Sequence, residues 1–483
     1  MSHRSAPGRW WLITILVLFW LLLLIGGYFW AHRPFTADTW AGIGWAARQW
    51  ATYEFQPAAM LAGLGRTLAA IGGWLLISYT GAVTGRMLFR EHLAAEKPTV
   101  RLALLTGIGL GFLSLIMLLF GLIGWLNVWT GWGVLIGLNG LAWRQHRPVV
   151  ADIRTLRVPR PEDRQERWFL IFGLVSLAIF FLATLTPPDG WDSLVYHLTG
   201  PQHFLDTGRV GHPLDLPYLG FPLLGGMQFT LGMLTTGTGV APLLHFGYGL
   251  LALVVTVSLA EKVSGRAAGW FAGVLLLSIP SLLSLMTQAY VDATLLFYAT
   301  AAFLAFTQWR QAFQRGESEW VWLLLLGLFC GFGSGVKYTA VLIPFALALS
   351  LAWTARRTGV AAIARRVGFV ALVSLAASVP WLLENWLSTG NPVYPFFIDQ
   401  ALFWDAWRGW WYDRPGTGLL YTDPWRLLLA PVEATILGTE GSNYYDFTLG
   451  PLLLLSLGLL ALVWRDLTQE EKSVCGHLLL FLG

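Results

Sequence analysis

Apolar runs of about 20 residues, long enough to cross roughly 30 Å of hydrocarbon, recur along this chain with short polar stretches between them. They fall near residues 10–30, 58–82, 102–123, 127–143, 168–187, 240–260, 267–286, 291–308, 320–336, 338–354, 367–385 and 447–464. A further apolar run begins at His477 and continues to Gly483, so the pattern predicts an all-α polytopic membrane protein of about 12 to 13 transmembrane helices. The first run follows Arg4 and Arg9, and GGYFWAHRP after it offers no small-residue cleavage site. It reads as a retained signal anchor.

Two segments between spans are too long to be plain connections, 188–239 and 386–446. Within them, residues 194–206, 213–236 and 425–437 mix apolar and polar positions, and Pro201, Pro213, Pro217 and Pro222 act as breakers. That mixture predicts short helices lying in the membrane interface. Trp404, Trp407, Trp410, Trp411 and Tyr412 crowd the second segment, as expected of anchoring rings at headgroup level. No repeat of fixed period and no low-complexity tract is present in the sequence. The glycine series Gly107, Gly109, Gly111 and Gly327, Gly331, Gly335 predict close helix packing.

Composition agrees with the pattern. Hydrophobic residues make up 56% of the 483 and charged residues 12%, about half the share of a soluble globule. Net charge is only +4, and the basic residues lie in short loops where they orient spans instead of forming a nucleic-acid footprint. Cys330 and Cys475 fall in apolar segments and support neither a disulfide framework nor a metal cluster.

Cytoplasmic loops carry the Lys and Arg of a membrane protein. Arg86, Arg90, Lys97 and Arg101 share one loop, and Arg144, Arg147, Arg154, Arg157, Arg160, Arg164 and Arg167 another. Lys262 with Arg266, Arg310 with Arg315, the pairs Arg356, Arg357 and Arg365, Arg366, and Arg465 with Lys472 complete the set. One assignment, with the N-terminus in the cytoplasm, places all of them inside. It places 188–239, the turn before Asp292, the turn at Lys337 and the loop 386–446 together on the outer face.

The outer face holds the candidate chemistry. PPDGWDSLVYHLTGPQHFLDTGRV, from Pro187 to Val210, follows a span directly and carries Asp189, Asp192, Tyr196, His197 and Arg209. Asp192 and Tyr196 are four apart and share a helix face, so a phenol could orient the carboxylate, and His197 lies beside them. The alternative is a solvated interfacial loop. Asp292, in QAYVDATLLFY at the end of a span, is a functional candidate or a helix N-terminal acid complementing the dipole. Lys337, beside Tyr338 in GSGVKYTAVLIP, is a snorkelling anchor or a binder of an anionic headgroup; backbone bared by Gly333 and Gly335 suits a phosphate oxygen. Arg209, Arg408 and Arg414 are further outer cations, and the WWYD run at Trp410 to Asp413 is assigned no role.

WDSLVYHLTGPQHFL after a span, YVD at Tyr290 to Asp292, GSGVKYT at Gly333 to Thr339 and ENWLSTGNPVYPFF at Glu384 to Phe397 together resemble the GT-C superfamily of membrane glycosyltransferases. Within it the chain is most similar to the bacterial branch related to protein O-mannosyltransferases and lipid A aminoarabinose transferases. The resemblance covers roughly residues 168–464, a GT-C-like catalytic region. Residues 1–167 then form an added unit of four transmembrane helices, and 465–483 a cytoplasmic loop with the start of a last span.

The resemblance implies a multi-pass protein of a bacterial cytoplasmic membrane that moves a sugar from a polyprenyl-phosphate-linked donor to an acceptor on the outer face. It maps the general base onto Asp192, with Asp189 as understudy, and a second outer acid onto Asp292. The family often has an adjacent acidic pair in this loop, whereas two residues separate Asp189 from Asp192 here. Lys337 would offset charge on the leaving phosphate, with Tyr196, His197, Tyr338 and Arg209 as further substrate contacts. A divalent ion held by Asp192 and Asp292 would be magnesium or manganese, given oxygen ligands alone. The other classes are a transporter or flippase, which calls for inverted repeats and midplane acids, an O-antigen polymerase or ligase, and a non-catalytic assembly subunit.

Overall fold

In hydrocarbon a backbone must satisfy its own polar groups, which for a single apolar run means an α-helix, and each of the twelve runs overlaps one. The computed structural model describes residues 10–33, 36–52, 56–89, 92–212, 217–396, 423–438, 445, 448–469, 471–472 and 474–476. The helices, in chain order, are α1 Trp10–His32, α2 Ala37–Ala51, α3 Pro57–Leu88, α4 Pro98–Leu122, α5 Val128–Leu141, α6 His146–Thr155, α7 Arg164–Thr184, α8 Thr199–Thr207 and α9 Leu224–Thr235. There follow α10 Val240–Ser264, α11 Arg266–Leu277, α12 Pro280–Met286, α13 Asp292–Arg315, α14 Trp320–Ser334, α15 Leu342–Thr354, α16 Val360–Thr389, α17 Ala430–Leu437 and α18 Pro451–Val463. No strand occurs among the described residues. The protein is an all-α, multi-pass membrane fold.

Among the described residues, 6 helices are long and apolar enough to span a membrane, or 7 with α11 and α12 counted as one span bent by 69°. Proline at position 280 explains that break, since it cannot donate the next helical hydrogen bond. The run at 127–143 yields only the 14 residues of α5, about 21 Å of helix, too short to cross. Helix α7 begins four residues before its apolar run: Asp163 caps it by accepting from the Glu166 amide at 2.8 Å, and Glu166 reaches back to the Glu162 amide at 2.8 Å.

Packing divides the chain into two compact units. The smaller draws on residues 1–63, 274–283 and 413–473. There Trp20 Nε1 donates to the Leu454 carbonyl at 3.2 Å, joining α1 to α18, and Arg426 pairs with Glu433 at 2.8 Å. The larger unit draws on residues 64–273, 284–412 and 474–483. It contains most of α3 and all of α4.

In the larger unit α13 is the central helix, with Phe297, Tyr298, Ala301, Ala302 and Trp309 fully buried. Close approach explains the glycines. A Cβ on Gly109 would lie 1.8 Å from the Gly81 carbonyl, one on Gly107 2.0 Å from the Phe297 ring, and one on Gly331 2.4 Å from the Ser374 carbonyl. Buried polar groups bind helices together as well: Gln228 Nε2 donates to Ser114 Oγ at 2.9 Å and to the Tyr248 hydroxyl at 2.8 Å, while the Tyr298 hydroxyl donates to the Gly107 carbonyl at 2.9 Å.

The short helices expected in these segments form in part. Residues 194–206 form a short π turn and α8, but α9 is not a surface helix: Leu224 to Met233 are all buried. Gly225 lets Val291 and Gly232 lets Val240 close onto it, so its apolar faces meet protein. Trp404, Trp407, Arg408, Trp410, Trp411, Tyr412 and Arg414 lie outside the described residues.

Candidate functional site at one end of the helix bundle

After α7 the chain runs through Pro187 and Pro188 to Asp189, which is exposed and held by one side chain. Gln288 Oε1 accepts from the amides of Asp189 at 3.2 Å and Gly190 at 3.0 Å, and Gln288 Nε2 donates to Asp189 Oδ1 at 2.6 Å. Glycine at 190 is required for this approach, since a Cβ there would sit 2.8 Å from the Tyr290 hydroxyl.

Residues 193–197 wind as a single π turn, closed by the Leu198 amide on the Ser193 carbonyl at 2.9 Å. Such widened turns are concentrated at functional sites. Tyr196 hydrogen-bonds to Asp192, the pairing expected from their spacing. Burial first, then the charge of Asp192 and this bond, then the charge of Asp292, push the Tyr196 phenol far above its ordinary pKa. The phenol therefore stays protonated and donates to the carboxylate. Its ring stacks on Tyr218 at 5.1 Å and meets Phe221 edge-on at 6.1 Å.

His197 lies against Tyr290 at 6.0 Å and Phe229 at 6.4 Å. Loss of water pulls its imidazole below the ordinary range although the charge of Asp292 works the other way, so it is neutral at pH 7. Asp292 acts on both Tyr196 and His197, while Asp192 acts on the first and Lys337 on the second, so the three charges lie around two adjacent side chains.

Asp292 is the first residue of α13, where a carboxylate complements the helix dipole, and it also pairs with Lys337 Nζ at 3.0 Å. The Lys337 side chain remains 41% exposed, and its ammonium has three donors, so the pair leaves room for a second anionic partner. Tyr338 is differently placed. Its hydroxyl accepts from Asn385 Nδ2 at 2.6 Å and lies 2.9 Å and 3.2 Å from the carbonyls of Gly220 and Tyr394. It clamps three segments together. Arg209 is exposed, on a strap whose neighbours Gly208 and Val210 bond to Leu126 and Gly121, and no described contact joins it to the cluster.

Gln288 and His245 were not legible as site residues. His245 is fully buried, and its two ring nitrogens meet the Gln288 carbonyl at 2.9 Å and the Ala293 amide at 2.7 Å. The available signal was a lone histidine inside the apolar run VAPLLHFGYG, together with a glutamine just ahead of YVD. Glu384, 1% exposed, lies 3.8 Å from His212 Nε2 and accepts from Ser388 Oγ at 2.9 Å.

The donor set fits a divalent ion poorly. No three of His, Cys, Asp and Glu gather in a metal-holding arrangement among the described residues, and Asp292 already shares one oxygen with a lysine.

The family described as dolichyl-phosphate-mannose-protein mannosyltransferase matches residues 241–386. That stretch takes in His245, Gln288, Asp292, Lys337, Tyr338 and Asn385, and begins after the loop that carries Asp189 and Asp192. Neither the curated proteins nor the solved structures yield a match to the chain. The match is consistent with the GT-C superfamily and with a membrane glycosyltransferase that draws on a polyprenyl-phosphate-linked sugar.

Proposed function

We propose that this protein transfers a sugar from a polyprenyl-phosphate donor to an acceptor hydroxyl at the outer face of a bacterial cytoplasmic membrane, with inversion at the anomeric carbon. The observation that carries this reading is that a phenol-oriented carboxylate, Asp192 at Tyr196, and a carboxylate-oriented cation, Lys337 near the adjacent His197, are linked through Asp292, which pairs with Lys337 and acts on both side chains. Direct displacement needs those two charges on opposite sides of the reacting carbon. Asp192 accepts the acceptor's hydroxyl proton as its oxygen bonds to the anomeric carbon. The bond from that carbon to the phosphate oxygen breaks, and its electron pair leaves with the phosphate. Lys337 offsets that charge, and Asp292, paired with it at 3.0 Å, holds the ammonium in place. Tyr196 orients Asp192. Neutral His197 and the rings around it exclude water, which strengthens both charges. No step passes through a metal ion.

The test is transfer by the purified protein in liposomes containing polyprenyl-phosphate-linked sugars, with products read by mass spectrometry. The intact protein is expected to move sugar off the carrier. Asp192→Asn, which keeps the shape and loses the proton acceptor, should lower turnover by roughly 10²-fold to 10⁴-fold. Asp189→Asn should do much less. Transfer by Asp192→Asn at the unsubstituted rate would remove the base assignment, and an intact protein that transfers from no carrier would remove the enzyme reading.

A further inference from the structure

We infer that His245 is a positioning residue that sets the two acidic elements of the site relative to one another. It cannot touch substrate: it is fully buried, six residues into α10, and both ring nitrogens are engaged. An amide can only donate, so the Ala293 contact at 2.7 Å requires Nε2 to be the unprotonated nitrogen. The proton therefore sits on Nδ1 and is donated to the Gln288 carbonyl at 2.9 Å.

Those two partners are the two ends of the irregular turn between α12 and α13. Ala293 is the second residue of α13, and its amide is one of the first four of a helix, which have no partner within it. A turn inside a membrane bundle cannot leave such groups bare. His245 satisfies one end as acceptor and the other as donor, fixing the turn that presents Tyr290 and Asp292. A single ring with one donor and one acceptor suits both bonds, and alanine would supply neither.

The chain of contacts runs outward in both directions. Through Ala293 it sets the start of α13, where Asp292 holds Lys337 at 3.0 Å. Through residue 288 it sets Gln288, whose amide group clasps Asp189 and Gly190 in three hydrogen bonds. Asp192 follows two residues after Gly190. One buried imidazole thus holds the first outer loop and the Asp292–Lys337 pair in register. This role rests on the transfer reading above, where those groups must sit on opposite sides of a reacting carbon.

Amide exchange and kinetics together test it in the full-length protein. In His245→Ala the Ala293 amide should lose its protection against hydrogen exchange while residues 300–312 of α13 keep theirs. Turnover should fall by about tenfold to hundredfold, the cost of misplacing reacting groups by about an ångström, with KM for the donor changed by less than about threefold. His245→Gln, which keeps a donor and an acceptor at similar reach, should recover much of both. Gln288→Leu severs only the branch to Asp189 and should lower kcat with Ala293 still protected, which keeps the test decisive if His245→Ala fails to insert. Unchanged Ala293 protection in His245→Ala, or unchanged kcat in Gln288→Leu, would overturn the inference. If the unsubstituted protein transfers nothing, the transfer reading fails, and the exchange comparison still decides whether His245 holds the turn.

Discussion

Lys337 and Tyr338 are neighbours with different fates, and the difference lies in what surrounds each polar tip. The ammonium keeps an open side next to Asp292, whereas the hydroxyl is consumed by Asn385 and two carbonyls. Sequence shows residue type and local spacing, so the Asp192–Tyr196 pair was legible and the Tyr338 clamp was not: its partners are 47, 56 and 118 residues away. His245 was illegible for the same reason, since its role is written in the backbone of residues 288 and 293. Buried histidine also has a consequence for pH. Burial, aided by the charge of His203, depresses the His212 imidazole to about 4 from the 6.5 of an unfolded chain. Folding thus favours the neutral ring, and that stability is fully present above pH 6.5 and is lost as the pH falls through about 4. The melting temperature of the purified protein should be level above pH 7 and decline below 6.5, with His212 contributing at most ~1.4 kcal/mol per pH unit. In His212→Gln the decline should be shallower. An equal decline in the variant would assign it to other groups, and a level profile down to pH 4 would mean that Glu384, 3.8 Å away, takes up the proton instead.

Helices join where glycine lets them. On α14, Gly331 faces Ser374 of α16, and an added Cβ would lie 2.4 Å from the Ser374 carbonyl and 2.6 Å from the Ala377 Cβ. Backbone on one side and a methyl on the other leave no flexible end to move aside. Gly331→Val should destabilise the protein by about 1–3 kcal/mol or more and impair insertion. A methyl added at Gly368, within α16, would meet nothing within 4 Å, so Gly368→Ala should be neutral or stabilise by up to ~1 kcal/mol through helix propensity. Thermal unfolding in detergent separates the two, and equal effects would show that the α14–α16 contact does not depend on the missing side chain. The series at 107–111 and 327–335 were readable as packing glycines because their four-residue or two-residue spacing is local. Burial of α9 was not readable: its sequence, LGGMQFTLGMLT, is as apolar as an interfacial helix and its surroundings come from residues far along the chain.

Along α13 the molecule shows its two ends. Asp292 begins the helix at the candidate site, and Gln308, sixteen residues on and about 24 Å away, hydrogen-bonds to Glu96 beside Lys262. The basic loops meet carboxylates at that far end: Arg86 and Arg101 on Asp152 at 3.0 Å and 2.5 Å, Lys97 on Glu261 at 2.5 Å, Arg366 on Glu319 at 2.7 Å. The charge pattern of the chain thus anticipated which loops share an end, because the bias of Lys and Arg is a property of position along the sequence. Which end faces the cytoplasm follows from the positive-inside rule alone, and cysteine labelling tests it. With Cys330 and Cys475 replaced by alanine, a cysteine at Asp206, exposed on α8, should react in intact cells with a membrane-impermeant maleimide. One at Arg160, exposed in the loop before α7, should react only after the membrane is opened. Both sites are exposed, so differential reaction reports the side of the membrane and not burial. Labelling of position 160 in intact cells with position 206 protected would invert the assignment, carrying Asp192, Asp292 and Lys337 to the cytoplasmic face, where an outward-facing acceptor could not reach them.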